Sequence, residues 1–386
     1  MTVELRKLNY EFEQKSYREI EKKFLPIFPE HLDIYRASAT PVEQYYLSHP
    51  NEPFSLRLRE SLCADGTLCY EATLKDSGSL TPGGIDRMEI TTQIDSALYS
   101  YFKRDSLPLL RKLRAEPLPG ITIDFYDDGS AQVESEHPEH WQRFIDLYGD
   151  YFVDITSDRL SSNEWRAHLS FRRANNGVEA LKPAPELDPS AIVQDILAAR
   201  TTMLPIVVHI GGRSGSGKST IVQEVSKQLD QLTLSSTVMS TDDYHRGTSS
   251  LMKINNGQPW EHWDEPIVYD TVAMAEDLAH LYNGKSIYRR SIDWGSVEPI
   301  FDGVITPSDV VIIEGIYALS PDITKQDELC YETTTPLATC IGRRLLRDMR
   351  ERPEFADPVK SLRYMLREAE PAYRAQSRLV GGPQQS

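Results

Sequence analysis

Two hydrophobic rhythms divide this chain. Up to about Arg173, short runs alternate apolar and polar residues at every second position, as strands with one buried face require. Turns such as Ala64-Asp65-Gly66, Thr81-Pro82-Gly83-Gly84 and Asp127-Asp128-Gly129 separate them. From Pro205 the pattern changes. Pro205-Ile206-Val207-Val208-His209-Ile210 is a continuous β-branched run of the kind buried on both faces. Ile221, Val222, Val225 and Leu229 then recur at helical spacing. Ser236-Thr237-Val238-Met239-Ser240 and Asp309-Val310-Val311-Ile312-Ile313 repeat the strand, and a helix is predicted over about Leu337 to Glu351. An antiparallel half followed by a parallel α/β half is expected.

Between the halves, Asn175-Asn176-Gly177 reads as a turn and Lys182-Pro183-Ala184-Pro185-Glu186 as a stiff linker. Asp188-Pro189 opens a short helix carrying Ile192, Ile196 and Leu197, with proline in its first turn. The expected division is residues 1–178, a linker and short helix over 179–203, and a second domain over 204–386. A chain of 386 residues, 40% hydrophobic and 26% charged, suits two domains that each bury a core. No apolar run approaches the ~20 residues of a membrane span, and MTVELRKLNYEFEQ lacks a signal-peptide core. No C-x-x-C pair suggests zinc, and Cys63, Cys69, Cys330 and Cys340 are expected to be reduced thiols of a cytoplasmic protein. A net charge of −16 argues against nucleic acid or anionic membrane as a partner, while leaving room for a local basic pocket. Nothing in the sequence sets the oligomeric state; a homo-oligomer is compatible with it.

The densest chemistry lies in Gly212-Arg213-Ser214-Gly215-Ser216-Gly217-Lys218-Ser219-Thr220, which fits the phosphate-loop pattern G-x-x-x-x-G-K-[ST] between a strand and a helix. Its glycines let backbone N–H groups turn onto phosphates, and the helix N-terminus adds partial positive charge. Lys218 is expected at the outer phosphates of ATP and the Ser219 hydroxyl at Mg²⁺. Thr241-Asp242-Asp243-Tyr244-His245-Arg246 follows the second strand, so Asp242 sits where a carboxylate can take a proton from an attacking hydroxyl. Trp263-Asp264-Glu265-Pro266 comes next, and the strand ending in Glu314 places an acid where such sheets hold magnesium. Arg343, Arg344, Arg347, Arg350 and Arg352 provide cationic forks suited to a lid over a transferring phosphoryl group. The ordered set GGRSGSGKST, STDDYHR, WDEPIVYD, VVIIEGI and RRLLRDMRER resembles the uridine kinase/phosphoribulokinase family of P-loop kinases over roughly residues 204–375. The resemblance implies transfer of the γ-phosphoryl group of ATP to a ribose-type hydroxyl. It implies Asp242 as base, Glu314 as the magnesium-linked acid, Asp264 as ligand of the sugar hydroxyls, and Arg344, Arg347 and Arg352 as lid arginines. Tyr288-Arg289-Arg290-Ser291-Ile292-Asp293-Trp294-Gly295 stands where uridine kinases carry a Tyr and His that recognise the pyrimidine, so the acceptor is left open. The family's last strand, which helps hold adenine, is expected to be missing.

In the first half, the residues that alternate with the apolar ones are charged and sorted by strand. Glu19, Glu21 and Lys23 share a face, as do Arg57 and Arg59, Lys75 with Glu71, Arg87 with Glu89, Lys112 and Arg114, and Glu134 and Glu136. A solvated sheet face accounts for alternating charge; sorting into basic and acidic strands suits a closed barrel holding polyphosphate and a divalent metal. Glu19-Ile-Glu21-Lys-Lys23, followed by Phe24-Leu25, matches the E-x-E-x-K signature, and this half resembles the CYTH family of triphosphate tunnel enzymes over about residues 17–173. Glu11-Phe-Glu13-Gln-Lys15 has the same spacing. The resemblance implies that Arg57, Arg59, Lys75, Arg87, Lys112 and Arg114 bind phosphate oxygens and that Glu19, Glu21, Glu134 and Glu136 hold Mg²⁺ or Mn²⁺. Thr91 stands where the family often has another acid.

The expected fold is thus an α+β antiparallel β-barrel, or tunnel, followed by an α/β P-loop kinase domain with a parallel sheet. The expected function is an ATP-dependent kinase of a small-molecule acceptor, fused to a module that binds or hydrolyses tri- or pyrophosphate. Two alternatives stand beside it: a metal-dependent tri/pyrophosphatase whose kinase-like half senses nucleotide, and a nucleotide-gated interaction module.

Overall fold

A computed structural model describes residues 17–63, 65–136, 138–181, 185–200, 205–351 and 357–377. The chain divides into two compact units, Met1–Lys182 with Leu337–Arg363, and Pro183–Pro336 with Tyr364–Ser386. The segment 337–363, contiguous in sequence with the second half, groups with the first.

The first unit is built on β1 (Arg18–Pro26), β2 (Thr40–Tyr46), β3 (Phe54–Leu62), β4 (Leu68–Asp76), β5 (Ser79–Thr81), β6 (Gly84–Ile94), β7 (Leu109–Leu118), β8 (Ile121–Tyr126), β9 (Ala131–Ser135) and β10 (Phe152–Asp154). Antiparallel pairing runs β1-β9-β8-β7-β2-β3-β4-β6, and β6 returns to pair with β1 from Arg18↔Met88 to Glu21↔Ile85. An eight-stranded ring is therefore closed, leaving β5 and β10 as additions at its rim. Helices α1 (Ser96–Phe102), α2 (Pro138–Tyr148) and α3 (Asn163–Ala174) belong to this unit.

The polarity of this barrel is inverted relative to a solvated sheet. Phe24, Ile121, Ile123, Phe125, Ala131 and Val133 are buried on the outside, packed with Trp141 and Ile145 of α2. The alternate residues of the same strands, among them Glu21, Lys23, Lys112, Asp124 and Glu134, are buried and charged. Period two forces this separation, because a strand that sends apolar residues out under helices must send its partners in. One expectation is corrected here. Cys63 and Cys69 form a disulfide across the β3–β4 hairpin, with Cα atoms 5.7 Å apart, whereas Cys330 and Cys340 are free. The pairing of Ser61 with Cys69 and the tight turn after Cys63 bring the two sulfurs together, which the spacing alone did not indicate. The first E-x-E-x-K copy, at Glu11, Glu13 and Lys15, lies outside the described residues, as does the stretch where a last strand was in question.

The second unit adds α4 (Pro189–Ala199), β11 (Ile206–Gly211), α5 (Lys218–Gln231), β12 (Ser236–Ser240), α6 (Thr248–Ile254), α7 (Thr271–Tyr282), β13 (Ile287–Asp293), β14 (Glu298–Ile305), β15 (Val310–Gly315) and β16 (Leu329–Glu332). A parallel sheet runs β12-β15-β11-β16, and β13 and β14 form a separate hairpin. One face of the sheet packs Val208, Ile210 and Ile312 against α4 and α5; the other packs Val207, Val311 and Ile313 against α7 and Ile287. Both faces being covered explains the unbroken apolar runs of β11 and β15. Asp188 caps α4 by accepting from the Ser190 N–H, with proline next in line. Three helices end the described chain: α8 (Leu337–Glu351), α9 (Pro358–Tyr364) and α10 (Glu370–Gln376). Among the described residues no helix is long and apolar enough to cross a membrane.

Candidate active site

β11 delivers the chain to a loop whose glycines are conformationally required. Gly212, Gly215 and Gly217 have φ of 147°, 80° and 89°, backbone that L side chains rarely adopt. A Cβ on Gly212 would also run into the Thr333 hydroxyl. Thr333 Oγ1 donates to Ser216 Oγ at 2.7 Å and Thr335 Oγ1 to the Ser216 carbonyl at 2.8 Å, so two threonines after β16 fix the loop from outside. Ser214 is half-buried within the loop, and Ser219 and Thr220 are exposed at the start of α5. Lys218 is buried; its Nζ donates to the carbonyls of Gly212 (3.0 Å) and Arg213 (2.8 Å). Arg213 makes a two-pronged pair with Glu370 of α10 at 2.7 and 2.9 Å and lies 4.6 Å over the Tyr373 ring.

Acids gather at the C-terminal ends of β12 and β15. Ser219 Oγ donates to Glu314 Oε2 at 3.3 Å, and Ser240 Oγ to Glu314 Oε1 at 3.0 Å. Asp242 is exposed on the one-turn helix Thr241–Tyr244 that follows β12. Beside it, burial pushes the Asp243 carboxyl up to about 6, and the charges of Asp242 and Glu314 add to the effect. A hydroxyl and a carboxylate with further acids near them are the hard oxygens that Mg²⁺ takes together with substrate phosphates.

Asp264 is almost wholly buried, accepting from the Tyr364 hydroxyl at 2.7 Å, while Tyr317 donates to its carbonyl at 2.6 Å. Next to this, His245 is buried, stacked on Trp263 at 5.8 Å and met edge-on by Tyr269 and Trp294. Burial holds its imidazole below the ordinary value. Sequence reasoning singled out Asp264 and missed its Tyr364 and Tyr317 partners, which lie 100 and 53 positions away. Arg344 and Arg347 are on α8 in the first unit, where their guanidinium groups lie 3.6 and 3.2 Å from Asp348. Arg352 lies outside the described residues.

Inside the barrel the sorted charges converge. Lys75 pairs with Glu19 at 2.8 Å and Glu89 at 3.0 Å; Arg87 reaches Glu19 at 2.7 Å and also Glu21. Arg114 bonds Asp124 at 2.6 Å and Glu134 at 2.7 Å, and Lys112 meets Asp124. Lys23 lies 3.3 Å from Glu21 and 3.4 Å from Glu134. Arg57 and Arg59 are held more loosely, 3.7 Å from Glu89 and 3.5 Å from Glu71. The Arg57 Nε is buried with no hydrogen-bond partner. Crowding by Arg57, then burial and Arg114, pulls Arg59 down to about 10. Three guanidinium groups thus crowd one another in the closed interior.

The acids expected to hold metal in this tunnel stand beside cations. Glu19, Glu21 and Glu134 are each already held by lysine or arginine, and Glu136 lies beyond the end of β9 and is exposed. Among the described residues no three His, Cys, Asp or Glu side chains gather as a metal-holding group. Lys23 and Asp124 were not singled out as site residues; alternation along Ile121-Thr122-Ile123-Asp124 held the signal for the aspartate.

The sequence profile of the phosphoribulokinase/uridine kinase family matches residues 207–374. A uridine kinase of Ureaplasma urealyticum is 35% identical over 158 residues, 40% of this chain and 74% of that protein. A uridine kinase of Clostridium perfringens is 31% identical over 157 residues, again 40% and 74% of the two chains. Among solved structures, the inorganic triphosphatase NE1496 is 27% identical, covering 39% of this chain and 93% of its own, with a TM-score of 0.25. D-glycerate 3-kinase from Cryptococcus neoformans is 20% identical over 33% of this chain and 52% of its own, with a TM-score of 0.27.

Proposed function

The chain belongs to the phosphoribulokinase/uridine kinase family and is an ATP-dependent phosphotransferase; from that premise we propose that it transfers the γ-phosphoryl group of ATP to the hydroxyl of a ribose-type small molecule. The observation that carries this reading is the strand, glycine loop and Lys218 arrangement with Ser219 and Glu314 paired at its mouth. Gly212 to Thr220 wrap the phosphates with backbone N–H groups, and Lys218 leaves two loop carbonyls for the outer phosphates. Ser219 and Glu314 are the residues that would hold Mg²⁺, which would neutralise phosphate charge there. Asp242 accepts the proton of the attacking hydroxyl. Asp264, oriented by Tyr364, takes the acceptor's neighbouring hydroxyls, and the aromatic faces around His245 pack on the rest of it. Arg344, Arg347 and Arg352 serve as the family-type arginines that stabilise the transferring group.

The barrel is a polyphosphate-binding module in this reading. Its support is the cluster of Arg57, Arg59 and Arg114 with an unpaired buried N–H. With its carboxylates held by cations, no hydrolytic step is derived for it. A panel of ribosyl acceptors and sugars with ATP and Mg²⁺, reading phosphoryl transfer and free phosphate separately, tests the proposal. Transfer to a ribosyl hydroxyl is expected; phosphate release from polyphosphate with no transfer to any acceptor contradicts it.

A further inference from the structure

The phosphate loop is gripped from behind by a helix that begins some 150 residues later. Glycine loses more conformational freedom on ordering than any other residue, so a loop with Gly212, Gly215 and Gly217 at positive φ needs outside help to hold one shape. Two fastenings supply it. At the first, Arg213 donates from two nitrogens to the two carboxylate oxygens of Glu370 at 2.7 and 2.9 Å. Glu370 is 3% exposed, and Arg374, one turn farther along α10, also donates to it at 2.7 Å. The Arg213 guanidinium lies over the Tyr373 ring of the same helix. At the second, the hydroxyls of Tyr373 and Ser377 both donate to Glu332, the last residue of β16. Thr333 and Thr335, which follow it, hold Ser216 of the loop. Gln376 adds a bond to the Ile316 carbonyl at 2.7 Å, two residues past Glu314. All of these residues belong to one compact unit.

We infer that Arg213, Glu370 and Tyr373 are positioning residues for nucleotide binding, through which α10 holds the phosphate loop in its binding shape before ATP arrives. The inference rests on the loop being the ATP site, as read above. The Arg213 carbonyl accepts from Lys218 Nζ at 2.8 Å. The residue whose side chain is anchored on α10 is thus one whose backbone sets where Lys218 lies. A buried carboxylate between two guanidinium groups keeps its geometry, because displacing either partner leaves charge uncompensated away from water. Arg213 is therefore engaged by α10 and acts on nucleotide through the loop. Where only a fraction of molecules holds a binding-competent loop, the apparent Kd rises by the reciprocal of that fraction. Bound ATP restores the shape, so loss of the clamp raises KM for ATP and leaves kcat at saturating ATP unchanged.

The test titrates the full chain with ATP and Mg²⁺ and reads hydrogen exchange of residues 212–220 and 370–376, which reports this site alone. In the wild type both segments should gain protection with one midpoint. Arg213→Ala and Glu370→Gln should each raise the loop's midpoint by about tenfold or more, and the double variant no further than either single one, since the two remove the same pair. Arg213→Lys keeps the charge without the fork and should fall between. A merely structural contact would lower the melting temperature and leave the midpoint where it was. Wild-type midpoints in both single variants, additive shifts in the double variant, or a fall in kcat with an unchanged midpoint would each overturn the inference. A wild-type chain whose residues 212–220 gain no protection at any ATP concentration is a different result, since it removes the ATP site on which the inference stands.

Discussion

Lys218 rests on two carbonyls of its own loop, and in the function proposed above its charge serves the outer phosphates. Lys218→Ala should remove several kcal/mol of transition-state stabilisation, about 10²-fold or more in transfer rate, with an unchanged circular dichroism spectrum; wild-type transfer would refute the loop's role. Glu52 allows a second prediction. Its Oε1 accepts from the His49 N–H at 2.8 Å and its other oxygen is buried without a partner. Burial lifts its carboxyl from 4.5 to about 7. The folded chain therefore holds a proton that the unfolded chain has lost, and stability falls as pH rises from about 4.5 to 7. His168, pulled by burial from 6.5 to about 4, works in the opposite sense and is common to both proteins in the comparison. Glu52→Gln keeps an acceptor for His49 and removes the ionisation. Its melting temperature, relative to wild type, should gain between pH 5 and pH 8; parallel curves would contradict this. Lys218, Asp242 and Glu314 were legible because each lies in a contiguous motif whose strand and helix flanks the sequence also displays. Tyr364 on Asp264 and Trp294 on His245 were not, since only the folded chain brings such distant positions together.

Strand β3 shows what periodicity can and cannot say. Leu56 and Leu58 against Arg57 and Arg59 announce two unlike faces. They do not say which face is inside, because alternation is blind to what covers it. Here helices cover the apolar face and the barrel closes on the charged one, an outcome set in part by residues some 280 positions downstream. Helix α8 illustrates the same limit: its ends, Leu337 and Glu351, follow from its pattern, whereas the unit it joins does not. The Cys63–Cys69 bridge likewise depends on register. If the inward face of β3 is an anion site, inorganic triphosphate should raise the melting temperature in proportion to RT ln(1 + [L]/Kd), and the shift should shrink with added salt. Arg57→Ala with Arg59→Ala should abolish it in a thermal-shift titration; an undiminished shift would place the anion elsewhere.

At the scale of the molecule, a net charge of −16 coexists with a barrel interior where arginines crowd one another, and with a loop built to draw in triphosphate. Global charge argues against polyanionic partners that need a broad basic surface, while leaving room for a local basic pocket. The two halves were legible as two grammars of hydrophobic spacing; the exchange of residues 337–363 between them was hidden because it depends on packing alone. The central claim is that this chain moves the γ-phosphoryl group of ATP onto a ribose-type hydroxyl with Asp242 as the base. It is tested most directly by following γ-labelled phosphate from ATP into a set of ribosyl acceptors, with the wild-type chain and with Asp242→Asn. The account predicts label on the acceptor's hydroxyl in the wild type, and a rate lower by about 10²-fold or more in Asp242→Asn with ATP still bound. Label appearing only as free phosphate, or an Asp242→Asn chain that transfers at the wild-type rate, would contradict it.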